Sequence, residues 1–393
     1  MASRYKLIEV SSKKHAKDFL ELPSIINRGD KNFIRPLDED IEKIFDPKQN
    51  KRFRKGNAIR WLLKDQEDNF IGRIAAFFDP ATALKDEQPT GGCGFFDCVN
   101  DQKAANILFN AAKNWLFEND LKAMDGPVNF GSRELFWGCL SDGFFEPNYN
   151  MPYNQPYYRE LFEKYGFQNY FNQYTYHVPL TAGDMDEVVY TTGKRVKDDP
   201  DYQFDIFNPR KLEKYAEDFM IIFNKAWAIF PGVRPFKKKQ AILMFKKLKP
   251  ISDKRTMIFA YYKSRPIAFF LMIPDLFQVT RKFNGKFNLI NKLRLLFFVK
   301  YLRRNTRLIG QIFGVVPEFQ GKGVAAGMIL RFEKEVAKPN FKYTDLEMNW
   351  IGDFNPGMMK MVRQIGGKIR KTHITYRYLF DRTKAFSRAK RVG

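Results

Sequence analysis

The sequence predicts two tandem α/β units, each a mixed sheet with helices on both faces. Three observations carry this. A chain of 393 residues exceeds what one hydrophobic core ordinarily organises and suits two domains. Its 44% hydrophobic and 16% aromatic content, with 40 phenylalanines, is enough to fill two cores and argues against extended disorder. Finally, the chain resembles itself at an offset of 200. Pro156, Gly166, Thr175 and Tyr176 coincide with Pro356, Gly366, Thr375 and Tyr376, each set reading as a short helix stopped by glycine and followed by a strand.

The elements justify this in order. Residues 59–63 and 70–78 read as a hairpin, matched in the second half by 257–262 and 266–273 around the turn Lys263-Ser264-Arg265. From 181 the chain turns polar and charged, with Gly183, Gly193 and Pro200, which suits a linker. The expected division is therefore a first unit at 1–185, a linker at 186–202 and a second unit at 203–393. Within the second unit, strands are expected near 202–207, 308–316, 344–350 and 373–380. Helices are expected at 209–230, 323–337 and 356–365, with an insert at 276–308.

Charge divides the halves. Residues 1–200 hold 27 basic and 30 acidic side chains; of the 67 and 44 in the whole chain, the remainder therefore holds 40 and 14. Such asymmetry points to a polyanionic partner for the second half: nucleic acid, an anionic bilayer or a phosphorylated cofactor. Cys93, Cys98 and Cys139 form an odd set that fits neither a disulfide framework nor a four-ligand zinc spacing, so no metal is expected. With no apolar run long enough to span a bilayer and no signal-peptide core at the start, the expected location is the cytoplasm.

The stretch that carries chemistry runs from Ile312 through Val315-Val316-Pro317-Glu318-Phe319-Gln320-Gly321-Lys322-Gly323-Val324-Ala325 to Ile329. It reads as a buried strand, a tight glycine turn and an apolar helix. Glycines let backbone approach a phosphate closely, and the new helix offers unpaired N–H groups with partial positive charge. A plain tight turn is the alternative. Gln320-x-x-Gly323-x-Ala325 resembles motif A of the GCN5-related N-acetyltransferase (GNAT) superfamily. The downstream order agrees: a strand, Asn355, a helix, Gly366-Gly367 and an aromatic strand. Over its full length the chain is similar to a long tandem bacterial group within that superfamily, through Gly126-Pro127-Val128-Asn129-Phe130, Asp142-Gly143-Phe144 and Tyr153-Asn154-Gln155-Pro156-Tyr157-Tyr158.

The resemblance implies an N-acyltransferase using acetyl-CoA or a longer acyl-CoA. Main-chain N–H groups of Gly321, Lys322, Gly323, Val324 and Ala325, with Gln320 and Asn355, would hold the cofactor. Pantetheine would pair against Val315 and Val316, where an amide polarises the thioester carbonyl for direct attack by an amine. Many relatives carry a tyrosine acid in the helix after Asn355; that position here is Val362, and Tyr376 or Tyr378 could substitute. For the base, Glu347 is favoured. It shares one strand face with Asp345 and Asn349, and Asp353 is a further candidate. A salt-bridged or solvated Glu347, and tyrosines that are simply core, are the plain alternatives.

The first unit has no equivalent glycine turn. Residues 94–105 lead into a helix through Asp101, a helix-capping residue whose charge opposes phosphate. This unit is expected not to bind coenzyme A but to contribute acceptor-site residues: Glu134, Trp137, Asn154, Tyr157 and Tyr158. The insert at 276–308 carries nine Lys or Arg and no acid, with apolar residues at 289, 293, 296 and 297. That suits a helix on an anionic membrane surface, peripheral on its inner face, and would make the acceptor a lipid amine. An ordinary packed helix fits as well; nucleic acid is disfavoured because no recognised motif accompanies the charge. Also open are a tRNA-dependent aminoacyl transferase and a non-catalytic acyl-CoA or polyanion-binding protein.

Overall fold

The computed structural model describes residues 4–84, 88–133, 135–180, 185–227, 234–302 and 305–390. The first half contains strands β1 (Lys6–Glu9), β2 (Asn57–Lys64), β3 (Phe70–Phe78), β4 (Thr90–Cys98), β5 (Ala123–Gly126), β6 (Cys139–Asp142) and β7 (Gln168–Pro179). Its helices are α1 (Lys13–Ile26), α2 (Asp38–Phe45), α3 (Pro80–Ala83), α4 (Gln102–Glu118) and α5 (Tyr158–Tyr165). The second half contains β8 (Tyr202–Ile206), β9 (Met257–Tyr262), β10 (Arg265–Pro274), β11 (Arg307–Val315), β12 (Asp345–Gly352) and β13 (Lys368–Leu379). Its helices are α6 (Glu187–Asp198), α7 (Leu212–Ala226), α8 (Lys238–Leu248), α9 (Phe277–Thr280), α10 (Leu289–Phe297), α11 (Val324–Val336) and α12 (Pro356–Gln364).

Both predicted hairpins are present, and α5 stops where expected, at Gly166 with φ 108°. The strands form one continuous mixed sheet in the order β1-β2-β3-β4-β5-β13-β7-β12-β11-β10-β9-β8, with β6 also on β13. This order holds a correction to the expected domains. The last strand of each half closes the other half's sheet. β7 lies against β12 of the second unit, and β13 lies against β5 and β6 of the first. The two exchanged strands pair with one another, and at the centre His373 faces Gln173, its own counterpart at the offset of 200. The repeat therefore has a local twofold axis through that pair. Each core is correspondingly mixed: Tyr176 and Val178 are buried in the second unit's core, Ile374 and Tyr376 in the first's.

The linker is corrected as well. Residues 187–198 form α6, whose Val189, Gly193 and Val196 are buried. Glycine at 193 is required by close packing on α11, since a Cβ there would stand 2.7 Å from Leu330 Cδ1 and 2.9 Å from Ala326 O. A polar composition hid an amphipathic period.

Candidate active site

The glycine turn has the expected form. β11 ends at Val315, a short 3-10 turn covers Pro317–Phe319, and α11 opens at Val324. Gly321 and Gly323 hold φ of 72° and 86°, left-handed values that glycine adopts without strain. The N-cap of α11 is Gly323, which has no side chain to cap it, and the first backbone bond runs from Gly327 N to Gly323 O. The amides of Val324, Ala325 and Ala326 therefore have no partner within the helix. Gly321 has open space around it, whereas a Cβ on Gly323 would meet Thr192 of α6 at 2.5 Å. The supposed linker is thus one wall of the turn.

Behind the turn the sheet opens. β11 and β12 pair in parallel only from Arg307 with Asp345 to Gly310 with Met348. Both strands bend at that level. On β11, Gln311 is an extra residue between the pairs Leu271–Ile312 and Met272–Gly310; on β12, Asn349 and Trp350 intervene between Met348–Tyr176 and Ile351–Tyr174. Bulges bend strands and raise local twist, and two at one level make a cleft leading from the turn into the sheet. Val316 N–H donates to Ile267 O at 2.9 Å, so Val316 bonds to β10 and is withdrawn as a cleft donor. Antiparallel alternation then turns the peptide groups of Val315 and Phe313 toward the cleft. Gln320 Nε2 donates to Val315 O at 3.1 Å, and Trp227 Nε1 to Phe313 O at 3.0 Å. Phe313 escaped the sequence reading, although it follows from Val315 by strand periodicity.

The first unit's matching cleft is filled. β4 and β5 pair only from Thr90 with Ala123 to Gly92 with Asp125, and the chain then runs between them. Val128 N–H donates to Cys93 O at 2.8 Å, and a Cβ on Gly94 would lie 1.7 Å from Val128 O. At the start of α4, the Asp101 carboxylate accepts from the amides of Lys103 and Ala104, taking the donors that an anion would need.

Glu347 is fully buried and forms the hub of a polar stripe across the sheet. Its Oε2 lies 2.5 Å from Lys371 Nζ, and its Oε1 lies 3.1 Å from Arg370 Nε and 3.5 Å from Arg307 Nε. Lys371 also donates to Asn148 Oδ1 at 2.9 Å, and Asn148 bonds to Asn349. Burial alone would raise the Glu347 carboxyl, but Lys371, Arg307 and Arg370 outweigh it and hold it below the usual range. Arg307 is further flanked by Asp345 and by buried Asp275, whose carboxyl burial pushes up to about 6. A carboxylate held ionised by three cations and sealed from water is a weak proton acceptor, so the salt-bridged alternative describes Glu347 better than the role of base.

Other expected residues fall elsewhere. Tyr376 is stacked on Phe162 in the first unit's core and donates to Glu163 Oε1 at 3.1 Å, away from the cleft. Its repeat mate Tyr176 takes the corresponding place in the second unit, opposite Met348 at the level where the cleft opens. The Tyr176 hydroxyl is buried with no hydrogen-bond partner among the described residues, and burial raises its pKa. Val362 is fully buried in the same core. Asp353 is tied to Arg388 at 2.6 Å, and Asn355 caps α12 by accepting from Met358 N. Asn154 bonds both backbone groups of Leu140. Tyr157 donates to Cys98 O, while Tyr158 accepts from Cys98 N and donates to Asp97. These three hold turns and core together rather than face the cleft. Trp137 is half-buried and donates to Thr375 Oγ1 at 3.1 Å; Glu134 lies outside the described residues. Of the residues that sequence reasoning missed, Tyr176 and Lys371 belong to the exchanged strands, Asn148 reaches Lys371 from the first unit, and Arg307 meets Glu347 from the neighbouring strand β11; local pattern carries no signal for such long-range contacts.

No protein-family model matches the chain. It is 26% identical over 380 residues to "Protein YghO" of Escherichia coli, covering 93% of each. It is 25% identical over 383 residues to the "Bacterial ceramide synthase" of Caulobacter vibrioides, covering 94% of this chain and 96% of that protein. Among solved structures, the "Tandem GNAT protein from the clavulanic acid biosynthesis pathway" superposes with a TM-score of 0.54 at 10% identity, covering 96% of this chain and 98% of the other. That likeness shows the fold, two tandem units of the kind seen in GCN5-related N-acetyltransferases.

Proposed function

We propose that the second unit transfers an acyl group from coenzyme A to an amine by direct attack on the thioester. The observation that carries this is the combination of an uncapped helix start behind two left-handed glycines and a cleft opened by paired bulges. The residues present fit coenzyme A. Amides of Val324, Ala325 and Ala326 would hold its pyrophosphate at the positive end of α11, and Val315 would pair with its pantetheine arm. The bound group supplies a thioester carbonyl carbon for the amine to attack.

The chain's own groups do the rest. An arm entering from the turn places its reacting end deepest in the cleft, so the Phe313 amide is the donor we assign to the developing oxyanion. The Tyr176 hydroxyl, protonated and without a hydrogen-bond partner among the described residues, is assigned to the leaving thiolate in place of Val362. The Glu347–Lys371–Asn148 network positions Asn349 at the closed end of the cleft, next to the last β11–β12 pair, and the attacking amine loses its proton to water there. A long-chain lipid amine fits as acceptor, in keeping with the name of the Caulobacter relative. A non-catalytic acyl-CoA-binding protein is the second reading, and the apolar Val362 favours it.

Calorimetric titration of acetyl-CoA and palmitoyl-CoA separates these. Both should be tested on wild type and Gly323→Glu, with release of free thiol followed after a long-chain amine is added. Binding that the substitution abolishes, followed by thiol release, is the expected result. Binding without release would move the assignment to the second reading. A folded wild type that binds neither would remove both.

A further inference from the structure

Part of the insert has no use in transfer chemistry. α10 is apolar on two faces. Toward the protein, Leu295 and Val299 are buried with Leu37, Leu276, Val279 and Phe283. Away from it, Leu289, Ile290, Leu293, Phe297 and Tyr301 stand 71%, 61%, 60%, 51% and 73% exposed. At 3.6 residues per turn Leu289, Ile290, Leu293 and Phe297 fall in one stripe about 100° wide, and Tyr301, in the π-helical turn Phe298–Leu302 that follows, extends it by contact with the Phe297 ring at 5.6 Å. Single exposed apolar side chains are ordinary, but a contiguous stripe marks an interaction surface. Exposed Lys292 and Arg294 project on either side of it.

We propose that this stripe docks on an anionic bilayer, with α10 lying in the interfacial plane. Charge complementarity selects this occupant. Residues 276–308 contain no acid. Beside Val299, at the end of the helix, lies a cavity of about 450 Å³ lined by Lys249, Lys254 and Lys342. Its carboxylate, Asp253, is neutralised by Arg255 at 2.6 Å, so the cavity suits a lipid phosphate. A second copy of the chain would set Lys292 and Arg294 against their own kind, and a nucleic acid would leave the five apolar side chains in water. The platform is preformed: Gly285 O accepts from Asp38 N at 2.8 Å, Arg281 pairs with Glu146 at 2.6 Å, and Phe277 packs edge-on against Tyr149. Docking does not depend on the acyl-transfer reading; if both hold, it brings the cleft to amines resident in a membrane.

Flotation of the full chain with vesicles tests this without any acyl donor. Binding is expected to phosphatidylcholine vesicles that contain phosphatidylglycerol, falling at least about tenfold on phosphatidylcholine alone and weakening with salt. The double variant Leu293→Glu, Phe297→Glu should lose at least about tenfold in partitioning. Its melting temperature should not change, because both side chains face water. Equal partitioning of variant and wild type would overturn the proposal. So would a wild type that ignores vesicles and sediments as a dimer that the double variant dissociates, since the stripe would then belong to a second copy.

Discussion

Two buried side chains at the centre of the sheet make separable predictions. The Tyr176 hydroxyl has no hydrogen-bond partner to lose among the described residues, so Tyr176→Phe should leave the unfolding midpoint in place or raise it slightly. As the proton donor to thiolate, its loss should lower kcat by roughly ten- to hundredfold with KM for acyl-CoA unchanged. Unaltered kcat in a thiol-release assay would withdraw the assignment. His373 reports on stability instead. Burial pushes its pKa from 6.5 down to about 4, against the opposing bond to Pro152 O. The folded state thus keeps the ring neutral where the unfolded chain protonates it. Its contribution is complete above pH 6.5 and is lost as pH falls toward 4. His373→Gln, which cannot titrate, should flatten the stability profile across that window by up to about 3 kcal/mol, as read by urea unfolding at a series of pH values.

Among the elements, the contrast between the two clefts decides stoichiometry. In the first unit the backbone of Val128 occupies the space between β4 and β5, and Asp101 occupies the helix start. In the second unit neither substitution has been made. The calorimetric titration should therefore yield one acyl-CoA per chain, and a value of two would show that the filled cleft can empty. The sequence made much of this legible. Gly321 and Gly323 announced the turn, the lack of a glycine turn and Asp101 announced its absence from the first unit, and pattern located β11 and α11 on either side of the turn and the helix that follows Asp101. The strand exchange was not legible, for a physical reason. β7 and β13 carry the same Thr-Tyr pair in the same helix-glycine-strand context, so either strand satisfies either sheet by pattern. Only long-range packing selects between them, and the choice moved the candidate acid from Tyr376 to Tyr176. The Glu347 network was half legible: strand alternation placed Asp345, Glu347 and Asn349 on one face, but the cations that occupy Glu347 arrive from β11 and β13.

For the molecule as a whole, the exchange means that neither half is a domain in the folding sense. Residues 203–393 alone would lack the strand between β12 and β13 and would leave the apolar face of β13 without the core that buries Ile374 and Tyr376. Expressed separately, each half should aggregate through its unpaired edges. Expressed together, with the chain opened between Pro179 and Glu187, the halves should co-purify as a stable heterodimer on size exclusion. Soluble, monomeric, cooperatively melting halves would show that each unit closes its own sheet.

The place of β13 also sets a schedule for the ribosome. Residue 376 must pair with residue 126, so some 250 residues must be made after the first half's edge appears before that edge can be covered. Domains commonly fold in turn as they emerge; here the earliest segment must wait for the last strand to be translated. Any stop codon or cleavage upstream of β13 leaves two sheets open rather than one. Truncation of this chain near its C-terminus is therefore an injury to its beginning.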